Sequence, residues 1–146
     1  MLPKDTQTLA RQVFGHMMKK DAFSKWLRLQ LDDITEGQCR MHYTILPEML
    51  NGFGTTHGGI LFAAADSVFA FACNSHGLSA VALEASIHYF RPVHAGETLS
   101  VQAELVFLGR KTGVYHVRTT NEKGEEVCRF KGTSYRSSRP ALPASS

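Results

Sequence analysis

One carboxylate interrupts the most apolar stretch of the chain. From Gly59 to Asn74 the sequence reads GILFAAADSVFAFACN, apolar or small at nearly every position, with Asp66 and Ser67 as the breaks. An ionised carboxylate is costly to bury without a partner, so Asp66 must be paired, protonated or open to a cleft. It either caps or solvates something local, or it is a carboxylate of raised pKa suited to general-base work. Directly ahead lies Asn51-Gly52-Phe53-Gly54-Thr55-Thr56-His57-Gly58-Gly59, a segment with four glycines. If the apolar run is a helix, the backbone N–H groups at its start are unclaimed. Such a helix end favours negative charge, and a developing oxyanion is such a charge. A plain glycine-rich loop with a helix cap is the alternative. No Gly-Lys-Ser/Thr follows, so this is not a phosphate-binding loop of the nucleotide-hydrolase kind.

Spacing constrains how these groups could cooperate. Gly58 and Asp66 are eight positions apart, roughly 12 Å along a helix axis. Catalytic contacts need about 3 Å, so one carbonyl carbon cannot be served by both groups of a single helix. If both act together, they come from two copies of it, as in a symmetric dimer with antiparallel central helices.

The elements that must position these groups follow from periodicity. The segment from about Asp5 to Lys20 places Leu9, Val13, Phe14 and Met17 at helical spacing, with Asp5 or Thr6 able to cap its start and Lys19 and Lys20 suiting its end. Leu27, Leu29 and Leu31, then Cys39, Met41 and Tyr43, alternate with polar residues around a turn at Thr35-Glu36-Gly37, which predicts a hairpin. Pro47 blocks its continuation. The run from Gly59 to Asn74 is hydrophobic all round, which predicts a buried helix. Strands are expected near Val81–Phe90, Thr98–Leu108, Gly113–Asn121 and Glu126–Tyr135, with antiparallel pairing across short links. The fold class is α+β, one antiparallel sheet wrapped around one central helix. A single domain over residues 1–136 and a loose tail, 137–146, rich in Ser and Pro, complete the chain.

Composition narrows the function classes. The 146 residues suit one domain, and 43% hydrophobic content excludes global disorder. A net charge of +3 without a dense Lys/Arg run speaks against nucleic acid and fits a small anionic ligand. Cys39, Cys73 and Cys128 are too few and too dispersed for a disulfide framework or a zinc site, and His88 and His94 lack partners at metal-ligand spacing. The start, MLPKDTQTLARQVF, has no signal-peptide core, and no apolar run is long enough to span a bilayer. A cytoplasmic setting with no membrane partner is the expectation.

The segment NGFGTTHGGILFAAADSVFAFACNS resembles hotdog-fold thioesterases of the phenylacetic-acid-degradation (PaaI) type, within the 4-hydroxybenzoyl-CoA thioesterase superfamily. The likeness continues through GLSAVALEASIHYFRPVHAGETL and GRKTGVYHV and spans Leu27 to Tyr135. Its most specific part is the His-Gly-Gly, the Asp nine residues beyond that His, and the Ala-Cys-Asn-Ser together. The resemblance implies a hotdog fold, a homodimer or a homotetramer built as a dimer of dimers, and an acyl-CoA substrate. It implies no cofactor, because coenzyme A is part of the substrate. It makes Asp66 the catalytic carboxylate, orienting or activating water or attacking directly. It places the Gly58 N–H on the thioester carbonyl oxygen, with His57 and Asn51 lining the site; the residues alone do not choose Gly58 over Gly59.

In Gly109-Arg110-Lys111-Thr112-Gly113, two cations beside glycine and a hydroxyl suit the phosphates of coenzyme A, though an ordinary basic turn has the same composition. The resemblance favours CoA contact for Arg110, Lys111 and Thr112, and Arg91, before Pro92, is a second candidate. It also favours a compact aryl or short acyl group. Phe62, Phe69 and Phe71 form either an aromatic wall for that group or ordinary core. The rival functions are an acyl-CoA-binding hotdog module without catalysis, against which Asp66 and the glycine-rich turn speak, and a hotdog dehydratase or hydratase, whose His/Asp arrangement is not found.

Overall fold

A computed structural model describes residues 2–144. In chain order the elements are α1 (Leu2–Lys20), α2 (Ala22–Trp26), β1 (Gln30–Thr35), β2 (Gln38–Thr44), α3 (Gly58–Asn74), β3 (Leu78–Tyr89), β4 (Thr98–Leu108), β5 (Thr112–Thr120) and β6 (Glu126–Pro140). The apolar run folds as the expected helix: α3 packs against β2, β3, β4, β5 and β6, so the sheet wraps it. Leu61, Ala64, Ala65, Val68, Phe69, Phe71, Ala72 and Cys73 of α3 are buried among Met41, Tyr43, Leu99, Val101, Tyr115, Val117 and Phe130 of the sheet. The helix is not buried all round. Ala63, Asp66 and Ala70 are only partly buried, Gly59 is exposed, and their three- and four-residue spacing puts them on one stripe.

The six strands form one antiparallel sheet in the order β1-β2-β4-β5-β6-β3. The pairing expected from short links holds for the β1–β2, β4–β5 and β5–β6 hairpins but not for β3 and β4. Instead, β3 pairs with β6, from Leu78 opposite Pro140 to Tyr89 opposite Cys128. The reason is α3: inserted between β2 and β3, it carries the chain across the sheet, so β3 emerges where the open edge belongs to β6. At the far end of α3, the buried Asn74 side chain fixes this crossing. Its amide donates to the Ala80 carbonyl at 3.0 Å and its oxygen accepts the Ala80 N–H at 2.9 Å.

Three other expectations shift. Helix α1 begins at Leu2, so Asp5 and Thr6 lie inside it rather than at its cap. Of Leu27, Leu29 and Leu31, only Leu31 is in a strand. Asp21 accepts from the Ser24 N–H at 2.9 Å and starts the short helix α2, which Leu27 closes. The tail is also more ordered than its composition suggests. Strand β6 runs to Pro140, and Ser137 donates from Oγ to the Ser79 carbonyl at 2.9 Å, because the long edge of β3 supplies partners. Residues 145 and 146 of that tail lie outside the described residues. Among the described residues, no helix is long and apolar enough to cross a membrane, and no group of three or more His, Cys, Asp or Glu could hold a metal ion.

Candidate active site

The glycine-rich segment is a built turn. Asn51 Oδ1 accepts the N–H of Phe53 at 2.9 Å and of Thr55 at 3.3 Å, and Asn51 N–H reaches the Thr55 carbonyl at 2.7 Å. Gly54 there has φ +79°, a conformation that side chains disfavour. Asn51 thus organises the loop through its oxygen and keeps its amide N–H₂ available, with no acceptor among the described residues. Thr56 donates from both N–H and Oγ1 to the Val93 carbonyl, at 2.8 and 2.9 Å, and His57 N–H reaches Met49 O at 2.8 Å. The loop is therefore tied to the β3–β4 connection just before α3 begins.

His57 is the N-cap of α3. Its Nδ1 accepts the Gly59 N–H at 2.9 Å, which requires that nitrogen to be unprotonated, and its carbonyl accepts the Ile60 N–H at 2.9 Å. Among the described residues nothing accepts from the Gly58 N–H. This cap distinguishes the two glycines: the imidazole takes the Gly59 N–H and leaves that of Gly58 without an acceptor among the described residues. Gly58 lines an open cleft of about 320 Å³ together with Thr55, Leu61, Tyr89 and Arg91. A helix N-terminus holding an unclaimed N–H over a cleft is suited to an anionic oxygen.

Asp66 sits eight residues along α3, on the half-open stripe. Its carboxylate makes no hydrogen bond or ion pair among the described residues, so it does not cap or neutralise anything local. Burial pushes its carboxyl above the ordinary aspartate value. Asp66 does not line the Gly58 cleft. Within one chain Asp66 therefore stands apart from the Gly58 N–H, as the spacing requires.

The CoA candidates divide. Arg91 lines the Gly58 cleft; its guanidinium donates to the Glu126 carbonyl at 2.8 Å and pairs with Glu125 at 3.5 Å. Arg110 and Lys111 are exposed and line a second cleft of about 570 Å³ with Leu78, Tyr135 and Arg136. Thr112 does not line it. It opens β5, and its carbonyl closes the turn by accepting the Gly109 N–H at 2.7 Å. The two clefts lie at opposite ends of β3, since Tyr89 lines one and Leu78 the other, roughly 36 Å of strand apart at 3.3 Å per residue.

Two site residues escape the sequence reading. Tyr89 donates its hydroxyl to the Gly58 carbonyl at 2.8 Å. Arg136 adds a third cation to the second cleft, steadied by the Gly109 carbonyl at 3.0 Å. In the sequence both are ordinary residues of alternating strands, and only the order of the sheet brings them to these clefts. The aromatic wall is not formed as a unit. Phe69 packs on Tyr115 and Phe130, Phe71 on Phe14, and Phe62 meets Phe130 edge-on at 5.3 Å.

A helix wrapped by a curved antiparallel sheet, with an open amide at the helix head and a carboxylate midway along it, is the hotdog arrangement. The chain belongs to the thioesterase superfamily, whose family model matches residues 53–128. It is 41% identical over 120 residues to the acyl-coenzyme A thioesterase PaaI of Escherichia coli, covering 82% of this chain and 86% of that one. A solved structure of the E. coli PaaI protein superposes with a TM-score of 0.90 at 38% identity, covering 92% and 97% of the two chains. A Streptococcus mutans protein solved with acetyl-CoA bound superposes with a TM-score of 0.74 at 28% identity, covering 76% and 90%.

Proposed function

We propose that this protein hydrolyses compact aryl (phenylacetyl-like) or short acyl-CoA thioesters to the free acid and CoA, at sites shared between two copies of the chain. The reaction class is that of its family: the chain is an acyl-CoA thioester hydrolase. The observation that carries the chemistry is the Gly58 N–H, without an acceptor among the described residues, at a capped helix head above an open cleft. In the reaction, ionised Asp66 takes a proton from water as the water oxygen bonds to the thioester carbon. The carbonyl oxygen becomes an oxyanion and accepts the Gly58 N–H. When the C–S bond breaks, the electron pair leaves with sulfur and the proton follows to give the CoA thiol.

Two features support a shared site. The edge strand β3 leaves Val81 and Leu83 62% and 63% exposed, and an open apolar edge is a pairing surface. The stripe of Gly59, Ala63, Asp66 and Ala70 leaves the same side of α3 partly open. Isologous antiparallel pairing of two β3 edges would bring the Gly58 end of one protomer beside the Arg110–Lys111 end of the other. Base, oxyanion donor and phosphate-binding cations would then belong to one site. A homodimer is the smallest assembly that completes it, and a tetramer would be two such dimers.

Arg110 and Lys111 serve the CoA phosphates in this reading, with Arg136 behind them. Replacing Arg110 and Lys111 together with Ala should raise KM while leaving kcat nearly unchanged, because contact with the non-reacting phosphates is uniform binding. The effect should shrink at high salt, since exposed charges are screened beyond about 8 Å at physiological ionic strength. An unchanged KM would return these residues to an ordinary turn.

The small side chains of Ala63 and Ala70 flank Asp66, leaving room there for a compact acyl group. Phenylacetyl-CoA should accordingly give a higher kcat/KM than palmitoyl-CoA below its micelle-forming concentration, followed as released thiol. Equal or better cleavage of the long chain would refute the compact pocket, and absence of thiol release from every acyl-CoA would refute hydrolysis itself.

A further inference from the structure

The Tyr89 hydroxyl grips the first residue of the central helix. It donates to the Gly58 carbonyl at 2.8 Å. The ring closes over the same residue: a Cβ on Gly58 would lie 3.1 Å from the ring Cζ and from the hydroxyl oxygen. Tyr89 ends β3, where it pairs with Cys128, and the next residue is held by Phe90 N–H to the Val127 carbonyl at 2.8 Å. The side chain therefore reaches from an anchored strand end to the helix head.

That helix head needs an external grip. Gly58 and Gly59 open α3, and glycine has the widest backbone freedom of any residue. First-turn N–H groups have no partner one turn back to hold them. The neighbours are secured, Thr56 by the Val93 carbonyl and Gly59 N–H by His57 Nδ1. Gly58 has no side chain, and its N–H is the group left open for substrate. Its carbonyl is the remaining handle: within α3 it takes the ordinary helical bond from one turn on, and Tyr89 adds the one hold from outside the helix among the described residues.

We propose that Tyr89 is a positioning residue for the oxyanion donor: by holding the Gly58 carbonyl it fixes the backbone of Gly58, and with it the direction in which the Gly58 N–H meets the thioester oxygen. The inference rests on the assignment of Gly58 as that donor. The hydroxyl bonds to the Gly58 carbonyl rather than to its N–H, so its action on the donor runs through the backbone of residue 58. Burial raises the phenol's pKa above its ordinary value, which keeps the hydroxyl a donor over the working range.

The test is Tyr89→Phe, which keeps the ring and deletes the hydroxyl. Loss of one orienting hydrogen bond should lower kcat about three- to tenfold, with KM and melting temperature little changed. The direct readout is the infrared carbonyl band of an isotope-labelled acyl-CoA that the wild type hydrolyses, bound to Asp66→Asn so that it persists. With Tyr89 present, the band should be narrower and lower in frequency than that of the same thioester in buffer. Adding Tyr89→Phe should broaden it and move it back, a change that a purely packing role would not produce. No lowering in Asp66→Asn alone overturns the Gly58 assignment and this inference with it. A lowered band that Tyr89→Phe leaves unchanged overturns the inference alone.

Discussion

Asp66→Asn should fold normally and lose about 10² to 10⁴ in kcat, the range expected when a positioned general base is removed. The carboxylate has no hydrogen-bond partner among the described residues, so the substitution breaks no local contact. The pH dependence follows from the direction of its shift. Only the ionised form accepts the proton of water, so kcat should fall on the acid side with a midpoint above the ordinary aspartate value. Stability moves the opposite way. A carboxyl that holds its proton more tightly in the folded chain than in the unfolded one stabilises the fold most below the unfolded pKa. That contribution is lost as pH rises through the raised folded value. Asn is neutral throughout, so Asp66→Asn should melt above wild type at pH 7 and alongside it near pH 3. A mutant that keeps more than half the wild-type kcat would remove Asp66 from the reaction. A neutral-pH melting point below wild type would show that the carboxylate is held by favourable contacts after all.

What the sequence made legible was the local and periodic part. The run GILFAAADSVFAFACN has no polar face to present to water, so a central helix was its natural outcome, and the strict alternation of Thr98–Leu108 returned β4 to the residue. Leu27 and Leu29 mimic a strand because Asp21, a cap outside the alternating window, turns the chain into α2 first. The partner of β3 was not legible, because it depends on where α3 delivers the chain. The same holds for Tyr89 and Arg136, whose roles exist only once β3 and β6 are neighbours. Asp66 stood out because its cost of burial is a property of the residue and its surroundings in sequence. The preference for Gly58 over Gly59 hinged on a single imidazole contact, His57 Nδ1 to the Gly59 N–H, which residue types alone do not specify.

Two inactive variants should make an active enzyme when paired in one dimer. The first is Asp66→Asn. The second must remove the Gly58 N–H without unfolding the helix, and Gly58→Pro is suited to this. Residue 58 is the first of α3, where proline is favoured, and His57 ahead of it already has φ −59° and ψ 131°, the extended conformation that precedes proline. Its N–H has no acceptor among the described residues, so removing that N–H breaks no internal bond. The added ring meets Tyr89 at the 3.1 Å approach noted above, but Tyr89 is 50% exposed and can swing aside, giving up its hydrogen bond to the carbonyl of residue 58. Gly58→Pro alone should lose about 10² to 10³ in kcat, the cost of one oxyanion donor. In a heterodimer of the two variants, one site would combine Gly58 of the first chain with Asp66 of the second, and the other site would lack both groups. Doubly tagged heterodimers should therefore recover about half the wild-type rate per dimer, as isologous symmetry requires. Circular dichroism on each parent separates loss of chemistry from loss of fold. Heterodimers no more active than their parents would mean that donor and base do not meet across two chains, and the shared site would have to be abandoned.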